Sequence, residues 1–131
     1  IQNQLDTYGS YSEYNKVKNA LINALKSESR ALFFLWYSDD KKLGAFVFAN
    51  VCSGLDSGAD YFWLNELYVD EVYRKKGVAT ELLKFIDLYA KENSIYYISC
   101  STWNGNTNAL KLYNKNNFKS EPVIWIDKRV D

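Results

Sequence analysis

Apolar residues recur along the first part of the chain at two different periods. Between Ser12 and Ser29, Tyr14, Val17, Ala20, Leu21, Ala24 and Leu25 lie three and four apart. That spacing predicts an amphipathic helix, with Ser12 as its N-cap. Ala31 to Tyr37 is aromatic-rich and reads as a strand. The polar turn Ser38-Asp39-Asp40-Lys41-Lys42 joins it to a second strand, Leu43 to Val51, which makes a hairpin. Ser53 to Asp60 reads as a loop, and Tyr61 to Val69 as a third strand, antiparallel to the second.

The period changes again at Gly77. A helix is predicted from there to about Asn93, with Val78, Leu82, Phe85, Ile86 and Tyr89 as its core stripe. Ile95 to Cys100 is a short apolar run, as expected of a strand buried on both faces. A helix between two such strands predicts a parallel, right-handed crossover. A further helix is expected from about Thr107 to Asn116. A strand starts at Phe118 and breaks at Pro122, and a last strand covers Val123 to Asp127. The pattern as a whole predicts a mixed α/β sheet with helices on both faces.

Arg74-Lys75-Lys76-Gly77-Val78-Ala79 lies between the third strand and the long helix. A turn that opens a helix aims backbone N–H groups with no intrahelical partner at one point, which suits an anion. Gly77 lets a ligand approach the backbone closely, and the cations around it add positive charge. A strand, a basic glycine turn and a helix in this order make a pyrophosphate cradle.

The pattern R-x-x-G-x-A resembles the acyl-CoA-binding motif of the GCN5-related N-acetyltransferases. The preceding Leu64-Asn65-Glu66-Leu67-Tyr68-Val69-Asp70 is similar to the strand before that motif, and Ala79-Thr80-Glu81-Leu82-Leu83 to the start of its helix. A second block, Asn106-Thr107-Asn108-Ala109-Leu110-Lys111-Leu112-Tyr113 followed by Asn117-Phe118, resembles the family's N-x-x-A-x-x-x-Y and G-F. Asn117 stands where the family has glycine, a mild departure because Asn tolerates the left-handed region. The resemblance implies an α+β fold. Its sheet would be mostly antiparallel, with a parallel strand-helix-strand acyl-CoA-binding core and helices on both faces. It also implies one domain over residues 1–131 that lacks the family's first strand and helix, leaving an open sheet edge.

The same resemblance implies a reaction and a site. Acetyl-CoA would be the co-substrate, with no metal, and the acetyl group would pass to a primary amine by direct attack in a ternary complex. The backbone of Leu67, Tyr68 and Val69 would bind the pantetheine arm, and one of these N–H groups would polarise the thioester carbonyl. Arg74, Lys75, Lys76, Gly77, Val78 and Ala79 would hold the pyrophosphate, mainly through main chain, and Thr80 would add a hydroxyl. Asn106 would contact the arm, and it is also placed to cap the helix that starts at Thr107. Tyr113 would protonate the departing thiolate, since a phenol's pKa of about 10 lies above that of a thiol. Glu66 is the candidate base, directly or through water. Simple alternation puts it on one face with Leu64 and Tyr68, and a bulge would change that. Tyr11, Tyr14, Trp36, Tyr61, Trp63 and Trp103, beside acids such as Asp39, Asp40 or Asp60, are candidates to line a pocket for a cationic amine.

Composition narrows the alternatives. Sixteen basic and sixteen acidic residues cancel, which argues against a general nucleic-acid or polybasic membrane binder. There is no histidine, so a histidine base, a Ser-His triad and a His-ligated metal are excluded. Cys52 and Cys100 are too few for a disulfide framework and lack metal-ligand spacing. Cys100 reads as a buried cysteine rather than an acyl-carrying nucleophile. A reduced cytoplasmic setting is expected, and a homodimer suits the aromatic surface and open edge. The acceptor is expected to be a small-molecule amine. The alternatives are a protein N-terminus or lysine, or a non-catalytic acyl-CoA-binding module.

Overall fold

The computed structural model describes residues 11–56 and 58–130, which fall into two compact units divided between Cys100 and Ser101. In the first unit, helix α1 (Tyr11–Ala24) leads into strands β1 (Ala31–Tyr37), β2 (Leu43–Ser53) and β3 (Asp60–Val69). A 3-10 turn (Glu71–Tyr73), helix α2 (Val78–Glu92) and strand β4 (Ile95–Ser99) follow. The second unit contains helix α3 (Thr107–Lys115). Among the described residues no helix is long and apolar enough to cross a membrane.

The strands form one four-stranded sheet in the order β1–β2–β3–β4. β1, β2 and β3 pair antiparallel, and β4 runs parallel to β3. This is the mixed α/β sheet that the sequence predicts, with the parallel strand-helix-strand unit in place. α2 packs on one face, against all four strands. Val47, Phe62 and Ile86 are fully buried there, each transfer being worth about 1.5–3 kcal/mol. Phe34 meets Tyr89 edge-on at 5.3 Å and Phe62 at 5.8 Å, tying β1 to α2 and β3. The opposite face carries Phe33 stacked on Phe48 at 4.7 Å, and Phe46 beside Tyr68 at 5.9 Å.

Several expectations need correction. Ser12 lies inside α1 and does not cap it. That helix ends near Ala24, in a turn closed by Ser29 N–H donating to the Lys26 carbonyl at 3.0 Å. The stripe of α2 is Val78, Leu82, Leu83, Ile86 and Ala90. Phe85 sits at its margin, 57% exposed, because the helical rotation centres the buried line on Leu82 and Ile86. Among the described residues β4 is an edge strand and is not buried on both faces, with Tyr96 70% exposed. Tyrosine supplies an apolar body and a wet hydroxyl, so its presence in a run does not demand burial.

No strand forms over residues 118–130. Val123, Ile124, Trp125 and Ile126 are exposed. A strand exists only where a neighbouring backbone completes its hydrogen bonds, and among the described residues the sheet consists of β1 to β4. The expected absence of a strand ahead of the first helix concerns residues 1–10, which lie outside the described residues.

Candidate active site

β4 pairs along its whole length, but only with the first part of β3. The parallel register runs from Asp60↔Ile95 through Trp63↔Ser99 and ends there. From Leu64 to Val69, β3 continues without β4, while its other edge stays paired to β2 through Val47↔Leu67, Phe46↔Tyr68 and Ala45↔Val69. The parting coincides with a bulge. Phe48 pairs with Glu66 and Ala49 with Leu64, so Asn65 is the extra residue of β3. The Asn50 side-chain amide donates to the Asn65 side-chain carbonyl at 2.5 Å and fastens the bulge to β2. Leu67, Tyr68 and Val69 therefore lie on a length of strand whose β4 side carries no ladder.

The bulge also decides where Glu66 points. Leu64 is buried at 4% exposure on the α2 face, opposite Ala49, and Leu67 shares that face opposite Val47. Glu66, opposite Phe48, lies on the other face with Tyr68 and, across the bulge, with Trp63 and Tyr61. Strict alternation would have put Glu66 with Leu64. Glu66 is half-buried and directly follows the bulge residue Asn65, beyond the last β3–β4 pair at Trp63.

β3 then delivers the chain to the basic turn. The Asp70 N–H donates to the Gly44 carbonyl at 2.8 Å, and the Tyr73 N–H to the Asp70 carbonyl at 2.9 Å. The Arg74 Nε donates to the Val69 carbonyl at 2.8 Å, and its guanidinium lies 5.5 Å from the Tyr68 ring centroid. Arg74, Lys75, Lys76 and Gly77 are exposed. Lys75 (φ 60°) and Gly77 (φ 80°) are both left-handed. Residues of this conformation let successive N–H groups converge on an anion. Gly77 is the N-cap of α2 and has no side chain with which to cap it. The N–H groups of Val78 and Ala79 have no intrahelical acceptor, and the helix dipole adds partial positive charge there. A Cβ at Gly77 would meet nothing within 4 Å. The open side of the turn thus has room for a phosphate, and glycine is required for its φ and not for space.

Behind the turn, Trp36 of β1 lies on the α2 face. Its ring centroid is 5.2 Å from that of Tyr73, and its Nε1–H donates to Glu81 Oε2 at 3.1 Å. Trp36, a candidate for lining an acceptor pocket, is thus in contact with both flanks of the turn. Gly44, an unexplained glycine in a strand interior, was the available signal.

The second unit places Asn106 and Tyr113 on one helix. Asn106 caps α3 as expected, with Oδ1 accepting from the Ala109 N–H at 3.2 Å. Its Nδ2 donates to Thr102 Oγ1 at 3.1 Å. Tyr113, half-buried, meets the Phe118 ring edge-on at 5.2 Å, and its carbonyl accepts from the Phe118 N–H at 2.9 Å. Asn117 is left-handed (φ 69°), the conformation that its resemblance to a glycine position requires.

The acidic residues expected near an amine do not converge. Asp60 pairs with Arg30 at 2.5 Å beside the end of β2, whereas Asp40 sits in the β1–β2 turn at the opposite end of the sheet. There the Ser38 hydroxyl donates to the Asp40 carboxylate and holds its pKa below the usual carboxylate value, with Lys42 at 3.6 Å acting in the same direction. Tyr61 stacks flat on Tyr97 at 4.7 Å. Trp103 is 71% exposed in the second unit. The side chains of Tyr11 and Tyr14 lie outside those described.

A parallel strand-helix-strand unit whose strands part near a bulge, ahead of a left-handed basic turn, is the arrangement that the sequence resemblance implies. The chain belongs to the Acetyltransferase (GNAT) family, whose profile matches residues 3–118. No curated protein matches the sequence. Among solved structures it is similar to one described as "a probable acetyltransferase", with TM-score 0.82, 23% identity, and coverage of 96% of this chain and 85% of that one. The aminoglycoside acetyltransferase meta-AAC0020 from an uncultured soil metagenomic sample, in complex with sisomicin, aligns at TM-score 0.76 and 12% identity over 87% of this chain and 74% of its own. The aminoglycoside 6'-N-acetyltransferase AAC(6')-IG from Acinetobacter haemolyticus aligns at TM-score 0.70 and 24% identity, covering 93% and 83%. At these identities the likeness is one of fold.

Proposed function

We propose that this GNAT-family protein transfers an acetyl group from acetyl-CoA to a primary amine of a small molecule. The observation that carries the reading is the ending of the β3–β4 ladder at Trp63↔Ser99, beside the Asn65 bulge. It leaves a backbone edge for an extended pantetheine arm, in line with the turn at Arg74–Gly77. Leu67, Tyr68 and Val69 offer that edge, and one of their N–H groups polarises the thioester carbonyl. Gly77, Val78 and Ala79 hold the pyrophosphate through main-chain N–H groups, with Arg74, Lys75, Lys76 and Thr80 around them. Asn106 contacts the arm.

Acetyl-CoA supplies an activated acyl carbon, and the protein's part is placement and proton handling. Glu66 takes a proton from the ammonium, directly or through water, so that the nitrogen lone pair can form the C–N bond. The C–S bond breaks, and Tyr113 gives a proton to the thiolate. The balance is one amide and one thiol from one amine and one thioester. Polyamino sugars are the first acceptors to try, because two of the structural neighbours are described as aminoglycoside acetyltransferases.

The test is a melting-temperature series across an acetyl-CoA titration, with ATP and NAD as controls. At a hundred times its dissociation constant the ligand adds about 2.7 kcal/mol. A shift with acetyl-CoA alone leads to an amine panel read by thiol release. A folded protein that ignores acetyl-CoA overturns the reading. Binding without turnover of any amine replaces it with a non-catalytic acyl-CoA-binding module.

A further inference from the structure

We propose that Trp36 is a positioning residue for the pyrophosphate turn, gripping both of its ends through one indole. The proposal rests on acetyl-CoA being the ligand of that turn. Residues 74–77 are exposed, include the left-handed, non-glycine Lys75, and lead into a helix whose N-cap is a glycine. Arg74 is tied back to β3 through the Val69 carbonyl, and the left-handed residues after it need further support from what the loop's flanks pack on. Trp36 supplies that support. Its ring lies against Tyr73, the residue just before the loop, at 5.2 Å. Its N–H reaches Glu81, in the first turn of the helix after the loop, at 3.1 Å.

The packing beneath this grip is close. Gly44 is buried, and a Cβ there would meet Tyr73 Cδ2 at 2.6 Å and Trp36 Cζ3 at 2.8 Å. The two rings occupy that space only because residue 44 has no side chain, and the Gly44 carbonyl also accepts the Asp70 N–H that starts the turn. A turn held ready before the ligand arrives binds without an ordering cost.

The experiment measures dissociation constants for acetyl-CoA and for S-acetylpantetheine, which lacks the pyrophosphate, by NMR titration. Trp36→Phe keeps a ring against Tyr73 and deletes the N–H. It is expected to weaken acetyl-CoA binding about tenfold while leaving S-acetylpantetheine unchanged. Glu81→Ala, at an exposed position, carries the same test should the tryptophan variant fold poorly. Glu81→Gln retains an acceptor oxygen and recovers most of the affinity that E81A loses. The W36F/E81A double variant binds no more weakly than either single variant. Unchanged acetyl-CoA affinity, or equal weakening of both ligands, overturns the proposal and leaves Trp36 a packing residue. A wild-type protein that binds neither ligand overturns the acetyl-CoA reading itself, and this proposal with it.

Discussion

The Asn50 side chain is hydrogen-bonded to that of Asn65, the residue that β3 carries in excess of β2. One amide pair thereby fastens the point at which the β3–β4 ladder stops and Glu66 changes face. Asn50→Ala should lower stability by about 1 kcal/mol, the net worth of one such bond, as a reduced denaturation midpoint at unchanged slope. A midpoint equal to wild type would show that the backbone ladder holds the bulge unaided.

Gly77 combines a left-handed φ with open space over its Cα. Gly77→Glu puts a carboxylate where the pyrophosphate is proposed to lie, in a conformation that costs an L-residue about 1–2 kcal/mol. The variant should stay folded, since no atom is displaced, and should lose the thermal shift with acetyl-CoA. Retained binding would move the ligand elsewhere.

Tyr113→Phe keeps the ring against Phe118 and removes only the hydroxyl. Turnover should fall about 10²–10⁴-fold, the usual worth of a placed acid, while acetyl-CoA affinity stays constant. Equal turnover at saturating substrates would remove Tyr113 from the proton path.

Asp40 has a lowered pKa because the Ser38 hydroxyl donates to its carboxylate. A depressed folded-state pKa means stability that is present above the unfolded value, near 4, and lost as pH falls through the folded one. Ser38→Ala should move the Asp40 titration upward in a carboxyl-carbon NMR experiment. An unmoved titration would take the shift away from Ser38 and leave it to the backbone hydrogen bond and Lys42.

Local chemistry made much of this protein legible without coordinates. The aromatic run Ala31–Tyr37, the helix opened by Gly77 and the Asn106 cap each depend on residues close in sequence, and each appears as read. The turn at Arg74–Gly77 belongs with them, because glycine and a helix N-terminus act over a few residues. The run Val123–Ile126 read as a strand on the same local grounds and is not one, for strand formation depends on a partner that no local rule supplies.

The sequence by itself determined the family and the main order of strands and helices. Tertiary structure alone decided the rest. Glu66 parts from Leu64 because register against β2 makes Asn65 a bulge, and register is a property of two strands and not of one. β4 lies at an edge because pairing order sets exposure. Trp36 meets Tyr73 and Glu81 because a glycine on the neighbouring strand leaves room for two rings. In each case the deciding interaction joins residues distant in the chain, where periodicity carries no information about who meets whom.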